Sequence, residues 1–263
     1  MSIERKLWLG LIALLTVSFA VLLWVGTEIH RQMPPVPEQV VTTEGSVVYT
    51  RADIETGRQV WQSMGGHQLG SIWGHGSYVA PDWTADWLHR EAIAWLDIEA
   101  RRTHERDYAD LLPEQQAALQ VRLQSEIRQN GYEASTSNLV ISAQRAQAMN
   151  VVAEHYIALF GDDPQMLDLR RAYAMKNGTV KEAEHRRALN AFIWWTAWSA
   201  VTERPGQEIS FTANWPYEPL VGNEPAPNLL IWTVFSVLFL IAGIALLVWH
   251  NARQKEEELP PLP

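Results

Sequence analysis

Two long apolar runs constrain this chain more than any other feature of its sequence. Leu7–Gly26 and Leu229–Trp249 contain no Asp, Glu, Lys or Arg. About 20 helical residues, rising 1.5 Å each, cross the ~30 Å hydrocarbon core of a bilayer. A helix is the one form in which a lone segment satisfies its own backbone there. The sequence therefore predicts two transmembrane helices with a polar region between them.

We divide the 263 residues accordingly. Residues 1–29 form an N-terminal anchor, 30–227 a folded domain, 228–250 a second transmembrane helix, and 251–263 a tail or linker. An alternative for the first run is a cleaved signal peptide, since Arg5 and Lys6 precede it. The run is longer than the apolar part of such peptides, which favours an uncleaved anchor.

Basic residues beside the spans predict the orientation. Arg5 and Lys6 precede the first span, and Arg253 and Lys255 follow the second. Because basic residues near span ends favour the cytoplasmic side, we expect both termini in the cytoplasm and the central domain outside. In a bacterial cell this is a two-pass protein of the inner membrane with a periplasmic domain.

The composition excludes several classes of site. The sequence has no cysteine, so it forms no disulfide, thiolate metal site or thiol nucleophile. A covalently attached c-type haem, which needs Cys-x-x-Cys-His, is excluded for the same reason. The net charge of -9 gives no support for nucleic-acid binding.

Between the spans the pattern predicts a mainly α-helical domain. Val40–Thr50 alternates weakly and indicates a short strand or hairpin. Asp53 is a candidate N-cap for the first helix, and Asp82 or Thr84 for the second. Further helices are predicted over 113–130, 142–160, 164–175 and 180–201, and a Pro-, Gly- and Asn-rich segment over 206–228.

The segment Gly65–Pro81 is unusually rich in glycine and aromatic residues. Glycines allow positive φ and close backbone approach, so the loop either packs on its own domain or contacts a partner, cofactor or metal. Its histidines, His67 and His75, do not have a recognised metal-ligand spacing, and no carboxylate lies between them. We expect the loop to face the membrane side of the domain.

Other conspicuous residues have structural interpretations. Phe192–Trp198 is apolar all round, which fits a core helix or a helix packed against another membrane subunit. The charged tract Glu91–Arg128 indicates a solvated helix face. Four further histidines are expected on helix surfaces: His89, His104, His155 and His185. The sequence contains no evident catalytic set, P-loop or dinucleotide fingerprint.

Several motifs carry a resemblance to a known family. Gly57-x-x-Val60-Trp61, then His67, then residues 74–82 resemble the first helix and haem loop of the cytochrome c subunit of nitric oxide reductases. In those proteins Cys-x-x-Cys-His precedes Gly-Glu-Gly-Ala-Tyr-Tyr-Ala-Pro-Glu. Here residues 63–67 read Ser-Met-Gly-Gly-His, so the histidine remains and both cysteines are replaced.

The whole chain also resembles the N-terminal region of the quinol-dependent nitric oxide reductases, in which a cytochrome-like domain carries no haem. Further matching stretches lie at 195–198, 202–206 and 214–223. The resemblance implies a cytochrome-c-like fold that caps the outer face of the catalytic helices. Those helices carry haem b and non-haem iron in the family, and they lie downstream of the second span.

The resemblance implies no catalytic residue in this chain and one binding role. Gly76 and Tyr78 match residues that, in the relatives, hold a calcium ion shared with the catalytic part. A carbonyl and a phenol oxygen are hard donors that suit calcium. The expected partners are thus the catalytic transmembrane region and the lipid bilayer. The alternative is a self-contained anchored module that binds a ligand or partner outside the cell.

Overall fold

The computed structural model describes residues 2–74 and 76–257. His75 and residues 258–263, the end of the predicted tail, lie outside the described residues. Eight α-helices occur in the described part: α1 Ile3–Arg31, α2 Arg51–Ser63, α3 Trp83–His104, α4 Pro113–Arg128, α5 Ala143–Phe160, α6 Leu167–Ala172, α7 Ala183–Val201 and α8 Pro227–Glu257. Four strands accompany them: β1 Gln39–Thr42, β2 Val47–Thr50, β3 Tyr132–Glu133 and β4 Asn138–Ile141.

The first and last helices, α1 and α8, confirm the prediction that the two apolar runs are helices long enough to cross a membrane. Glu4–Arg31 and Leu230–Gln254 have mean hydropathies of 2.4 and 2.7, and no part of their most apolar windows is buried in the protein. An apolar helix that its own protein leaves uncovered needs an apolar surrounding. The chain is therefore a membrane protein. Helix α8 continues to Glu257, so the first residues of the predicted tail are helical.

A small sheet opens the central domain. β1 and β2 form the antiparallel hairpin that the sequence predicts. β1 also pairs in parallel with β4, which pairs antiparallel with β3, giving the order β2-β1-β4-β3. The pattern did not predict β3 and β4. Val40 of β1 and Leu139 of β4 turn inward and join the core.

Helix α2 begins earlier than the sequence predicts. Thr50, not Asp53, is the N-cap, because its hydroxyl accepts a hydrogen bond from Asp53 N at 3.2 Å. Asp53 accepts in return from Thr50 N at 2.9 Å, which completes a capping box. The prediction of Asp53 as N-cap was therefore wrong by one turn. Asp82, one of the two candidates for the next helix, caps α3, and Ser142 caps α5.

Helix α7 is the centre of the domain. Every residue from Ala188 to Val201 is buried, and α7 packs against α2, α3 and α5. Helices α2 and α7 approach closely at Gly57, where an added Cβ would lie 1.9 Å from the Ala188 carbonyl oxygen. The aromatic segment Phe192–Trp198 is thus a core helix of this domain, and the alternative of a helix face packed on another membrane protein was wrong.

Candidate functional site

The glycine-rich loop starts where α2 ends. Gly65 and Gly66 have φ values of 123° and 53°, which turn the chain into a short 3-10 helix over Gly66–Gln68. His67 lies on this turn with an exposed side chain. Its ring meets the Trp61 ring edge-on, with centroids 4.9 Å apart. The segment that aligns with the family's haem motif therefore packs through an aromatic contact.

Asp82, the residue directly after the loop, binds the middle of the loop. One carboxylate oxygen accepts hydrogen bonds from the Ser71 hydroxyl at 2.7 Å and the Gly74 N–H at 2.6 Å. The other oxygen accepts from Ala85 N at 2.9 Å and so caps α3. The single carboxylate thereby couples the loop to the start of a core helix.

Trp73 fixes the middle of the loop on α7. Its indole N–H lies 3.1 Å from the Thr196 carbonyl and 3.0 Å from the Ser199 hydroxyl, and its ring packs against Trp195. Its backbone N–H donates to the Thr84 hydroxyl at 3.0 Å. The loop therefore packs on its own domain over this part of its length.

Two of the loop glycines are required by that packing. A Cβ at Gly70 would lie 1.9 Å from the Trp83 indole nitrogen, and one at Gly74 would lie 2.1 Å from that of Trp215. Close packing inside the domain therefore accounts for glycine at both positions. At these two residues the loop therefore packs on its own domain, which is the first of the two alternatives that its composition left open.

The predicted calcium donors lie on the outer part of the loop. Gly76 has φ +82° with open space around it, and Tyr78 is 95% exposed. Both oxygens suit calcium in kind, but two donors fall short of the usual 6–8 ligands. Within residues 2–74 and 76–257, no group of three or more His, Cys, Asp or Glu residues is placed to hold a metal ion. The remaining ligands would have to come from a partner.

The four helix histidines differ in their surroundings. His185 is exposed and lies 3.3 Å from Glu182, as expected. His89 contacts Glu218 at 3.0 Å and so ties α3 to the segment before α8. His104 lies 3.4 Å from Gln115. His155 is half-buried rather than fully on the surface, and burial, with a smaller contribution from Arg90, lowers the pKa of its imidazole.

The prediction that Glu91–Arg128 is simply a solvated tract was wrong at two carboxylates. Glu91 is fully buried and pairs with Arg145 at 2.8 Å. Glu99 accepts from Arg102 and Arg122, each at 2.8 Å, and its hydrogen bond from Arg102 is the main reason that its pKa is lowered. Their spacing could have shown this, because 91 and 99 lie on the same helical stripe as the buried Trp87 and Trp95.

A cavity of about 650 Å³ opens between α4, the β3–β4 strands and the start of α5. Its charged lining includes Arg122, Glu126 and Arg145. Each of these already has a partner: Arg122 pairs with Glu99, Arg145 with Glu91, and Glu126 contacts Ser142. These pairings link α3, α4 and α5, so the three charged residues serve the packing of the domain.

These features define a class of protein: a helical domain held between two membrane helices, with one ordered, partly exposed loop. A family model for the cytochrome c-like domain of NorB, a nitric oxide reductase component, matches residues 37–217. The chain belongs to this family, and its central domain is a cytochrome c-like domain of a nitric oxide reductase. A search of curated proteins found no match for the chain.

Proposed function

We propose that this chain is the non-catalytic N-terminal part of a quinol-dependent nitric oxide reductase, which reduces two NO to N2O. Its domain caps the outer face of the catalytic transmembrane region, which carries haem b and non-haem iron. One observation carries the proposal. The sequence matches a cytochrome c-like family yet contains no cysteine, so it attaches no c-type haem through which a cytochrome could deliver electrons.

The packing around the segment Ser63–His67, which aligns with the family's haem motif, supports this assignment. Trp61 lies 5.8 Å from Phe192, which stacks on Trp195 at 6.2 Å between ring centroids. These rings fill the space between α2 and α7 beside the turn that carries His67. Aromatic side chains in this position belong to the domain's own core, which supports a domain that needs no prosthetic group for its stability.

The second part of the proposal is a shared calcium site. The Gly76 carbonyl and the Tyr78 hydroxyl would supply two hard oxygen donors, and the catalytic region would supply the rest. The exposure of Tyr78 supports the idea, because an unpacked phenol can reach a partner's site without disturbing the domain. The calcium would then join the domain to the helices that it caps.

The main proposal is tested by finding which electron donor supports NO consumption. The chain is purified from its native membranes with its catalytic region, and NO consumption is measured with a water-soluble quinol and with reduced cytochrome c. We expect NO to be consumed with the quinol and not with reduced cytochrome c. We also expect a b-type haem spectrum without a c-type band. Consumption of NO with reduced cytochrome c and not with the quinol would overturn the proposal. Purification without any NO-reducing partner would favour the self-contained anchored module.

The calcium site has its own test. Tyr78→Phe removes one metal donor while keeping the ring. It should leave unfolding of the isolated chain unchanged, because this side chain is 95% exposed. In the assembled reductase it should lower the calcium-dependent gain in melting temperature. The same gain in variant and wild type would exclude Tyr78 as a ligand.

A further inference from the structure

Two buried hydrogen-bond donors line the cavity between α4, the β3–β4 strands and α5. They belong to Arg145 and Trp198, whose side chains are almost completely buried. Arg145 uses its Nε for Glu91, but its Nη2 has no hydrogen-bond acceptor among the described residues. The indole N–H of Trp198 has no acceptor in that part of the chain either. Unpartnered donors in a protein interior are rare and costly, so this pair points to an acceptor from outside the chain.

The surrounding core holds both donors in place. The Arg145 guanidinium lies over the ring of Trp194, 5.9 Å from its centroid, and its Nε is 2.8 Å from the Glu91 carboxylate. Trp198 follows Trp194 by one turn of α7 and packs on Phe211, with ring centroids 5.4 Å apart. The two donors are therefore fixed before a ligand arrives, which lowers the entropy cost of binding one.

The size and lining of the cavity suit a small organic molecule. Its volume of about 650 Å³ lies within the range of roughly 300–1,000 Å³ that is usual for small-molecule sites. Leu139 and Ile141 are buried and give it an apolar part, while Ser125 and Gln129 are exposed and give it a polar opening. Apolar walls with a few fixed polar groups are typical of ligand pockets.

The charges of the lining indicate what else the ligand carries. Arg122 and Arg145 are each paired with a buried glutamate of α3. Glu126 and Glu133 contact hydroxyl groups instead, and neither joins an ion pair in the part of the chain that the structure describes. Glu133 is exposed and Glu126 is half-buried, so these two carboxylates lie toward the opening. A simple anion would meet their repulsion, whereas a ligand that also has a positive group would be attracted.

We propose that this cavity binds a small zwitterionic amino acid. Its carboxylate accepts hydrogen bonds from Arg145 Nη2 and the Trp198 indole, and its ammonium group faces Glu126 and Glu133. A carboxylate has enough lone pairs for both donors, and an ammonium group has only donors, which suits the two glutamates. The site depends neither on calcium nor on the electron donor. It therefore stands or falls separately from the proposed reductase function.

Isothermal titration calorimetry of the full chain in nanodiscs tests for the ligand. The probes are the common L-amino acids and the ω-amino acids from β-alanine to 6-aminohexanoate, which separate the two charges by increasing distances. For the tightest probe, the N-acetyl derivative removes the positive charge and the amide derivative removes the negative one. We expect saturable binding of the probe, weakened at least several-fold in each derivative.

Two results of the titrations would overturn the proposal. If no probe binds saturably, the two donors are satisfied by water alone. If the N-acetyl derivative binds as tightly as its parent, the ammonium group makes no contact with the glutamates, and the ligand is not recognised as a zwitterion.

Two variants of the full chain test whether the probe occupies this cavity. Trp198→Phe removes the indole N–H and keeps an aromatic ring, so affinity should fall about 2- to 10-fold, as expected for one hydrogen bond. Glu133→Gln removes a charge at an exposed position without disturbing the core, and it should weaken binding several-fold. The matched control is Glu114→Gln, at an exposed position of α4 outside the cavity, which should bind like the wild type. Unchanged affinity in both Trp198→Phe and Glu133→Gln would place the ligand elsewhere and overturn the proposal.

Discussion

Glu91 is a carboxylate in the middle of the core, and both of its oxygens are satisfied. One accepts from Arg145 Nε at 2.8 Å and the other from the Trp87 indole at 2.9 Å. A buried ion pair gains little net stability, because desolvation offsets the attraction. Removing one partner is costly, since the other charge stays buried. The pair therefore fixes how α3 and α5 pack.

Because removing one partner of a buried ion pair is costly, Glu91→Ala should strongly destabilise the domain. We expect the free energy of unfolding to fall by about 3–5 kcal/mol, because Arg145 is left as an unpaired buried charge. The matched control is Glu38→Ala, which breaks the 2.8 Å pair with Arg51 at an exposed position. That loss should stay below about 1 kcal/mol. Chemical unfolding in detergent, followed by near-UV circular dichroism, measures both, and equal losses would contradict the argument.

His155 predicts part of the acid sensitivity of the domain. Burial lowers its pKa in the folded state below the ordinary value of 6.5. Between these two values the unfolded chain binds a proton that the folded chain does not, so stability falls as the pH falls below 6.5. His155→Gln should flatten the stability curve on the acid side of that value. If the slope of stability against pH is the same in the variant and the wild type, other groups cause the acid sensitivity.

At the level of elements, local signals predicted most of the helices. Caps at Asp82 and Ser142, and the hairpin at Val40–Thr50, depend on neighbouring residues and could be found in the sequence. The parallel pairing of β1 with β4 could not, because its partners lie far apart in the chain and β3 is only Tyr132–Glu133. No local pattern encodes such a contact.

The candidate site was predicted less completely than the helices. The loop could be recognised from its glycines, but the anchoring of Trp73 on Thr196 and Ser199 joins distant segments. The contact between Gly74 and Trp215 was missed for the same reason, since the two residues meet only in the folded domain. Resemblance pointed to Gly76 and Tyr78, whose calcium role stays a prediction.

The contact between α2 and α7 depends on one glycine. In an isolated helix Gly57→Ala would favour folding by up to ~1 kcal/mol, because alanine has the higher helix propensity. Here the new Cβ would lie 1.9 Å from a helix carbonyl, which is backbone and cannot rotate away. We expect a net loss of about 1–3 kcal/mol from overpacking.

The matched control is Gly76→Ala, where the added Cβ meets nothing within 4 Å and the cost is backbone strain at φ +82°. That variant should lose about 1 kcal/mol, the lower end of the cost of an L-residue in the left-handed region. Both are compared by chemical unfolding in detergent with the wild-type chain. A Gly57→Ala variant as stable as the wild type would show that α2 and α7 separate easily, and that Gly57 does not set their distance.

For the whole molecule, two transmembrane spans determine which parts of the chain lie on the same side of the membrane. An even number of crossings places the two termini together and the central domain opposite. The basic residues Arg5, Lys6, Arg253 and Lys255 predict that both termini lie on the cytoplasmic side. A first run that is cleaved as a signal peptide would leave one span and an N-terminus outside.

Cysteine labelling in intact spheroplasts tests this topology, because the chain has no cysteine of its own. Val121→Cys, at a 65% exposed position of α4, should react with a membrane-impermeant maleimide before lysis. Asn251→Cys, at the far end of α8, should react only after lysis. The reverse pattern would reject the orientation. Loss of an N-terminal epitope from the mature protein would instead show that the first run is a signal peptide, because an uncleaved anchor keeps its N-terminus.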